Sequence, residues 1–225
     1  MPTPATIVFD LDGTLIDTAP DLAATMNELL RRRGRGSLPT SAIRTMVGHG
    51  AKAMMEAGMA ATGAAAGEAE LDDMFAEFIE YYSDNIAVQS QIFPGALAAL
   101  DRLEAEGYRL AMCTNKMEAL SRKLIGSLGL EGRFASLLGG DTLAFRKPDP
   151  RHLTETIVQA GGDVGNAILV GDSIADVSAA KAASVPVIGV SFGYTKIPMA
   201  ELAPDRVIDH FDDLDAAVAE IFARK

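Results

Sequence analysis

The chain has 225 residues, 48% of them hydrophobic, a single cysteine and a formal net charge of −11. That apolar content supports a sizeable core, yet no apolar run approaches the roughly 18 residues of a membrane span. The acidic balance argues against a nucleic-acid backbone as partner, and one cysteine excludes an intramolecular disulfide framework and fits a reducing compartment.

The N-terminus lacks the basic-then-apolar layout of a secretory signal. The expectation is a cytoplasmic protein with no membrane or nucleic-acid partner, acting on a small molecule as a monomer or homodimer.

The first element is the most informative. Ile7-Val8-Phe9 has the length and β-branched content of a buried strand. It runs into Asp10 and Asp12, one residue apart, and then Gly13, which permits a tight turn. Two carboxylates buried at a strand end are costly unless a cation or hydrogen bonds compensate them. A hard divalent cation, which prefers oxygen ligands, is the simplest compensation.

Thr18-Ala-Pro20-Asp21 reads as a capped helix start, with proline in the first turn. Leu22, Met26, Leu29 and Leu30 form its apolar stripe, and Arg31, Arg32 and Arg33 close it in favourable alignment with the helix dipole before Gly34. Residues 41–67, rich in Ala, Met and Gly, read as one or two helices and a loop. Leu71, Met74, Phe75, Phe78, Ile79, Tyr82 and Ile86 make a second helical stripe. Nothing in 17–90 reads as a strand, so this stretch is expected to be a small helical bundle.

From about residue 93 helices and strands alternate. Helices are predicted at 94–106, 116–128, 150–160, 174–183 and 214–222. Strands are predicted at 108–113, 134–138, 167–170 and 185–190, with an edge strand at 207–209. This alternation implies a doubly wound, mostly parallel α/β sheet with ligands beyond the carboxyl ends of its strands. Residues 1–16 and 91–225 would form that Rossmann-like core, with 17–90 a helical cap inserted after the first strand.

The polar residues fall where that rule requires. Asp10 and Asp12 end one strand, Thr114-Asn115-Lys116 the next, and Gly171-Asp172-Ser173 a later one, with Asp176 beyond. Asp10 suits a carboxylate nucleophile that forms an acyl-phosphate. Asp12 suits the acid that protonates the leaving oxygen and later deprotonates water. Asp172 would complete a Mg²⁺ shell with Asp10 and a backbone carbonyl. Thr114 can hold nonbridging oxygens, and Lys147 can neutralise charge on Asp10 and on the phosphoryl group. Asn115 is a further candidate for substrate contact.

Asp10-Leu-Asp12-Gly13-Thr14, Thr114-Asn115, Lys147-Pro148 and Gly171-Asp172-Ser173 with Asp176 together resemble the four ordered motifs of the haloacid dehalogenase superfamily. The likeness spans essentially the whole chain. Within the superfamily, residues 10–23, residues 44–51, Gly139-Gly140-Asp141 and Phe192-Gly193-Tyr194 are most similar to bacterial phosphoglycolate phosphatases. The resemblance implies Asp10 as nucleophile, Asp12 as acid/base and Thr114 and Lys147 as phosphate ligands. It implies Mg²⁺ bound by Asp10, the Asp12 carbonyl and Asp172, and 2-phosphoglycolate as substrate.

A core of this kind grips only the phosphate, so the cap is expected to supply discrimination. Arg44, His49 and Lys52 are its polar candidates, and an arginine there could take a carboxylate bidentately. His49 departs from the Asn of the resembling enzymes. A phosphosugar mutase and a nucleotide or pyrophosphate phosphatase are alternatives on the same fold. An aspartate-phosphorylated signalling module is the non-enzymatic one, disfavoured by the long insertion.

Overall fold

The structure is a computed structural model, and it describes residues 4–48 and 50–224. In chain order the elements are β1 (Thr6–Phe9), β2 (Ile16–Asp17), α1 (Ala19–Arg32), α2 (Thr40–Arg44), α3 (Ala51–Thr62), α4 (Glu68–Asp84) and β3 (Gln91–Ile92). There follow α5 (Ala96–Ala105), β4 (Arg109–Cys113), α6 (Glu118–Ser127), β5 (Ser136–Leu138), α7 (Pro150–Gln159) and β6 (Ala167–Gly171). The chain closes with α8 (Ile174–Ala183), β7 (Val187–Val190), β8 (Arg206–Ile208) and α9 (Leu214–Ala223).

Six strands form one sheet in the order β5-β4-β1-β6-β7-β8, and every pairing in it is parallel. β1 is central. Phe9 pairs with Met112 on one side and with Val170 on the other. All four of its residues are buried, as a strand covered on both faces requires. Side chains alternate between two apolar layers. Ile7 and Phe9 join a cluster with α5, α6 and α9, while Val8 joins Leu153, Ile157 and Val177 of α7 and α8. The chain fills one side of β1 with β4 and β5, then crosses to β6 on the other. That reversal opens a crevice at the carboxyl end of β1.

The helices α1 to α4 leave and return to the core through a two-stranded antiparallel ribbon. Ile16 pairs with Ile92, and Asp17 with Gln91. Asp17 is therefore in a strand, which the sequence pattern did not indicate, because two residues carry no periodicity to read. Nearby, the buried Asp21 carboxylate accepts from Gln89 N (3.0 Å), Ser90 N (2.8 Å) and Ser90 Oγ (2.7 Å). It ties the start of α1 to the returning chain. α1 packs on α2, α3 and α4, burying Met26, Leu29 and Leu30 against Met55, Met59, Met74 and Phe78.

Elsewhere the boundaries move by a few residues for identifiable reasons. The strand expected at 185–190 begins at Val187, because Ser184 is left-handed (φ 56°) and the Val185 N–H closes α8 on the Ala180 carbonyl. The helix expected from 116 begins at Glu118, whose N–H is accepted by Asp141 Oδ1 at 2.7 Å. Among the described residues no helix is long and apolar enough to cross a membrane.

Candidate active site

Asp10 follows β1, its N–H donating to the Val170 carbonyl (2.9 Å), so the parallel ladder itself sets its position. Its side chain is 11% exposed. Asp172 follows β6 at 2% exposure and accepts from the Tyr194 N–H (2.7 Å) and from Thr14 Oγ1 (3.2 Å). Two glycines make room for it. A Cβ on Gly13 (φ +84°) would stand 2.5 Å from Asp172 Oδ2, and one on Gly193 would stand 2.2 Å from Asp172 Cβ. The Gly13 turn after Asp12 and the Phe192-Gly193-Tyr194 loop thus both serve one carboxylate.

Lys147 is completely enclosed. Its ammonium donates to the Cys113 carbonyl (2.6 Å) and to Asp176 Oδ1 (2.6 Å), and lies 3.0 Å from Asp10 Oδ1. Asp176 also accepts from Ser173 N (3.0 Å) and Ser173 Oγ (2.5 Å) in a capping box at the start of α8. With both its oxygens engaged, Asp176 anchors Lys147. Asp10 Oδ1 keeps the ion-pair contact but has no directional hydrogen bond among the described residues.

Asp10, Asp172 and Asp176 each offer a carboxylate oxygen, and these lie within 4.8 Å of one another. Three buried carboxylates set against one ammonium leave two negative charges uncompensated. Burial, opposed by Lys147 and reinforced by Asp176, pushes the Asp10 carboxyl up to about 6. Burial and the adjoining charges of Asp10 and Asp176 hold Asp172 well above the usual carboxylate range. An orphaned oxygen and a twofold charge deficit in an all-oxygen donor set fit a hard divalent cation.

Asp12 is arranged differently. Its carboxylate accepts from Thr18 Oγ1 (2.7 Å) and from Lys116 Nζ (3.1 and 3.3 Å), and Lys116 also donates to the Tyr82 hydroxyl (2.8 Å). Burial opposes the Lys116 charge, but Asp12 and Tyr82 outweigh it and hold the ammonium above its ordinary range.

Asp10, Asp12, Thr114 and Lys147 line the floor of a cavity of about 440 Å³. Phe75, Phe78, Ile79 and Tyr82 of α4 form its apolar roof, so the α4 stripe both packs on its neighbours and faces the site. Thr114 Oγ1 accepts from Lys116 N (3.2 Å), and its O–H, which has no acceptor among the described residues, is available to a ligand in the cavity. Asn115 Nδ2 donates to the Gly48 carbonyl (3.2 Å) and the Lys147 carbonyl (3.0 Å), stitching the helical insertion to the core.

Residues 7–190 match the sequence pattern of the haloacid dehalogenase-like hydrolases. The chain belongs to that family. It is 50% identical over 218 residues to a phosphoglycolate phosphatase of Mesorhizobium japonicum, covering 97% of this chain and 96% of that protein. It is 45% identical to a phosphoglycolate phosphatase of Agrobacterium fabrum, covering 97% and 94%. A crystal structure of a predicted phosphoglycolate phosphatase from Haemophilus somnus superposes with a TM-score of 0.89 at 30% identity, covering 96% of this chain and 98% of that one.

The haloacid dehalogenase-like core brings Asp10, Asp12, Thr114, Asn115, Lys147 and Asp172 to one strand-end crevice. The cap candidates are placed otherwise. Arg44 pairs with Asp17 Oδ2 (2.6 Å) and lies 5.1 Å from the Tyr194 ring centre, turned to the ribbon rather than to the cavity. Lys52 reaches the cavity wall but pairs with Asp72 and covers the Phe75 ring at 5.5 Å. His49 lies outside the described residues. The sequence reading noted Lys116 without its link to Asp12, and it passed over Arg146, which lines the cavity. The signal for both was a cation beside a motif residue at a strand or loop end.

Proposed function

We propose that this chain is a Mg²⁺-dependent phosphomonoesterase acting on 2-phosphoglycolate through an aspartyl-phosphate on Asp10. The observation that carries the reading is the convergence of Asp10, Asp12, Thr114 and Lys147 on one roofed cavity, beside a buried acidic cluster short of positive charge. The substrate follows the names of the 50% and 45% identical relatives. Residues 17–90 act as a cap over a core of 1–16 and 91–225. The free, buried Cys113 fits a cytoplasmic location.

In the first half-reaction an Asp10 oxygen attacks phosphorus in line with the ester oxygen. The P–O ester bond breaks, and Asp12 gives its proton to the departing oxygen. In the second, Asp12 takes a proton from water as that water attacks the acyl-phosphate, releasing phosphate and restoring the Asp10 carboxylate. Thr114 donates to a nonbridging oxygen, and Lys147 offsets the charge passing between Asp10 and the phosphoryl group. Asp10, Asp172 and the Asp12 carbonyl would hold Mg²⁺, which when bound supplies positive charge to the phosphoryl oxygens. The apolar α4 roof excludes bulk water and strengthens these interactions.

Phosphate release from 2-phosphoglycolate by purified protein, with and without Mg²⁺ after EDTA treatment, tests the reading. Asp10→Asn should abolish release while the protein stays folded. Wild-type turnover in that variant, or full activity without metal, would overturn it.

A further inference from the structure

We propose that Arg146, a residue of the core rather than the cap, receives the carboxylate of the substrate. The proposal rests on the reading of 2-phosphoglycolate as substrate and assigns the half of that molecule which the phosphate-gripping residues leave unread.

The argument starts from a census of positive charge at the cavity. Among the described residues four cationic side chains line it: Lys52, Lys116, Arg146 and Lys147. Lys147 is committed to Asp10, Asp176 and the Cys113 carbonyl. Lys116 is committed to Asp12 and the Tyr82 hydroxyl. Lys52 is committed to Asp72. Arg44, the arginine of α2, is spent on Asp17 away from the cavity. Arg146 alone of the four has no carboxylate partner among the described residues.

Its surroundings are those of a receptor for an anion. The same cavity carries Asp10 and Asp12, which repel a substrate carboxylate, whereas a cation not already paired with a carboxylate attracts it. Phe75 and Ile79 line the same cavity and offer a substrate carboxylate no competing polar partner, so the charge-assisted bond falls to the guanidinium. Arg146 precedes Lys147 directly, and the Lys147 carbonyl is held by Asn115 Nδ2 at 3.0 Å, so the arginine's backbone is pinned within one residue of the phosphate site. In 2-phosphoglycolate only the ester oxygen and one methylene separate phosphorus from the carboxylate carbon. Arg146 lines the same cavity as Thr114 and Lys147, so a short substrate held there by its phosphate presents its carboxylate to the space the guanidinium borders.

The cap contributes the backstop. Gly50 lies against the guanidinium, where a Cβ would stand 3.3 Å from an Arg146 Nη1, and its φ of +93° is one that side-chain-bearing residues rarely adopt. The cap loop thus leaves the planar fork room to turn toward substrate, and the fork matches a carboxylate bidentately.

The test compares 2-phosphoglycolate with 2-hydroxyethyl phosphate, in which a neutral hydroxymethyl group replaces the carboxylate. Wild-type enzyme should prefer 2-phosphoglycolate in kcat/KM. In Arg146→Gln the ratio of the two kcat/KM values should fall roughly ten- to a hundredfold, through a raised KM for 2-phosphoglycolate. Arg146→Lys, which keeps the charge but not the fork, should fall between the two. Arg146 is exposed, so these variants should melt with the wild type, which thermal unfolding checks. A wild-type preference that survives in Arg146→Gln, or equal losses on both substrates, would overturn the role of Arg146. No preference in the wild type would overturn the phosphoglycolate reading itself.

Discussion

Lys116 Nζ stands 3.1 Å from Asp12 Oδ1, with the lysine side chain 5% and the aspartate side chain 13% exposed. The proposed nucleophile and the proposed acid/base therefore each have a lysine of their own, Lys147 for Asp10 and Lys116 for Asp12. The two lysines come from different loops, so one carboxylate can be perturbed without the other.

Lys116→Met keeps the aliphatic stem and removes the charge, leaving Asp12 with Thr18 as its remaining side-chain partner. Loss of a charge-assisted hydrogen bond costs about 1.5–3 kcal/mol, so kcat should fall roughly ten- to a hundredfold. Steady-state kinetics on 2-phosphoglycolate would show it. An unchanged kcat would make Lys116 only part of the cavity wall.

Tyr194 offers a test of the ribbon. Its hydroxyl donates to Asp17 Oδ1 (2.7 Å) and accepts from the Ala19 N–H (2.9 Å), while its own N–H serves Asp172. Tyr194→Phe deletes the two hydroxyl bonds and spares the backbone one. Stability should drop by about 1–3 kcal/mol, read as a lower Tm in thermal unfolding.

The metal reading predicts a stability effect independent of catalysis. A cation that binds only the folded state stabilises it by mass action, about 2.7 kcal/mol at a hundredfold excess over Kd. Adding Mg²⁺ to metal-stripped protein should raise Tm, and Asp172→Asn should remove most of the rise. A variant that gains as much as wild type would place the cation elsewhere.

His152 sets an acid limit. It is fully buried, with Nδ1 accepting from Lys147 N (3.3 Å) and Nε2 at 3.1 Å from the Gly139 carbonyl. Burial, seconded by the Lys147 charge, pulls its pKa down to about 4. Below about 6.5 the unfolded chain gains a proton that the folded chain refuses, so this contribution is present above that pH and lost as pH falls toward 4. The loss amounts to roughly 3 kcal/mol. Denaturant melts of wild type and His152→Asn across this window should converge as pH falls, since other titrating groups affect both alike.

How much of this was legible in the sequence depends on what kind of fact is asked for. The strand ends announced themselves, because Asp10, Thr114 and Asp172 each break an apolar run that has no other reason to stop. The partners of the cap candidates Arg44 and Lys52 were not legible. Sequence shows which residues carry charge but not which partner neutralises it. Arg44 finds Asp17 across 27 residues and Lys52 finds Asp72 across 20, pairings made by the meeting of α2 with the ribbon and of α3 with α4. Arg146 escaped notice for the converse reason: its distinction is the lack of a carboxylate partner among the described residues, which becomes visible only when the other cations are accounted for.

The ribbon of Ile16–Asp17 with Gln91–Ile92 has a polymer consequence. Seen from the sheet, everything between those two short strands is one long hairpin loop whose ends are already clamped. Loop-closure entropy grows only logarithmically, so doubling the length between clamps costs about 0.6 kcal/mol. The six-stranded platform is thus nearly indifferent to the size of what is threaded through the clamp. Such a chain can lengthen, shorten or reshape its roof to suit a new molecule while Asp10 and Asp12 stay at the end of β1.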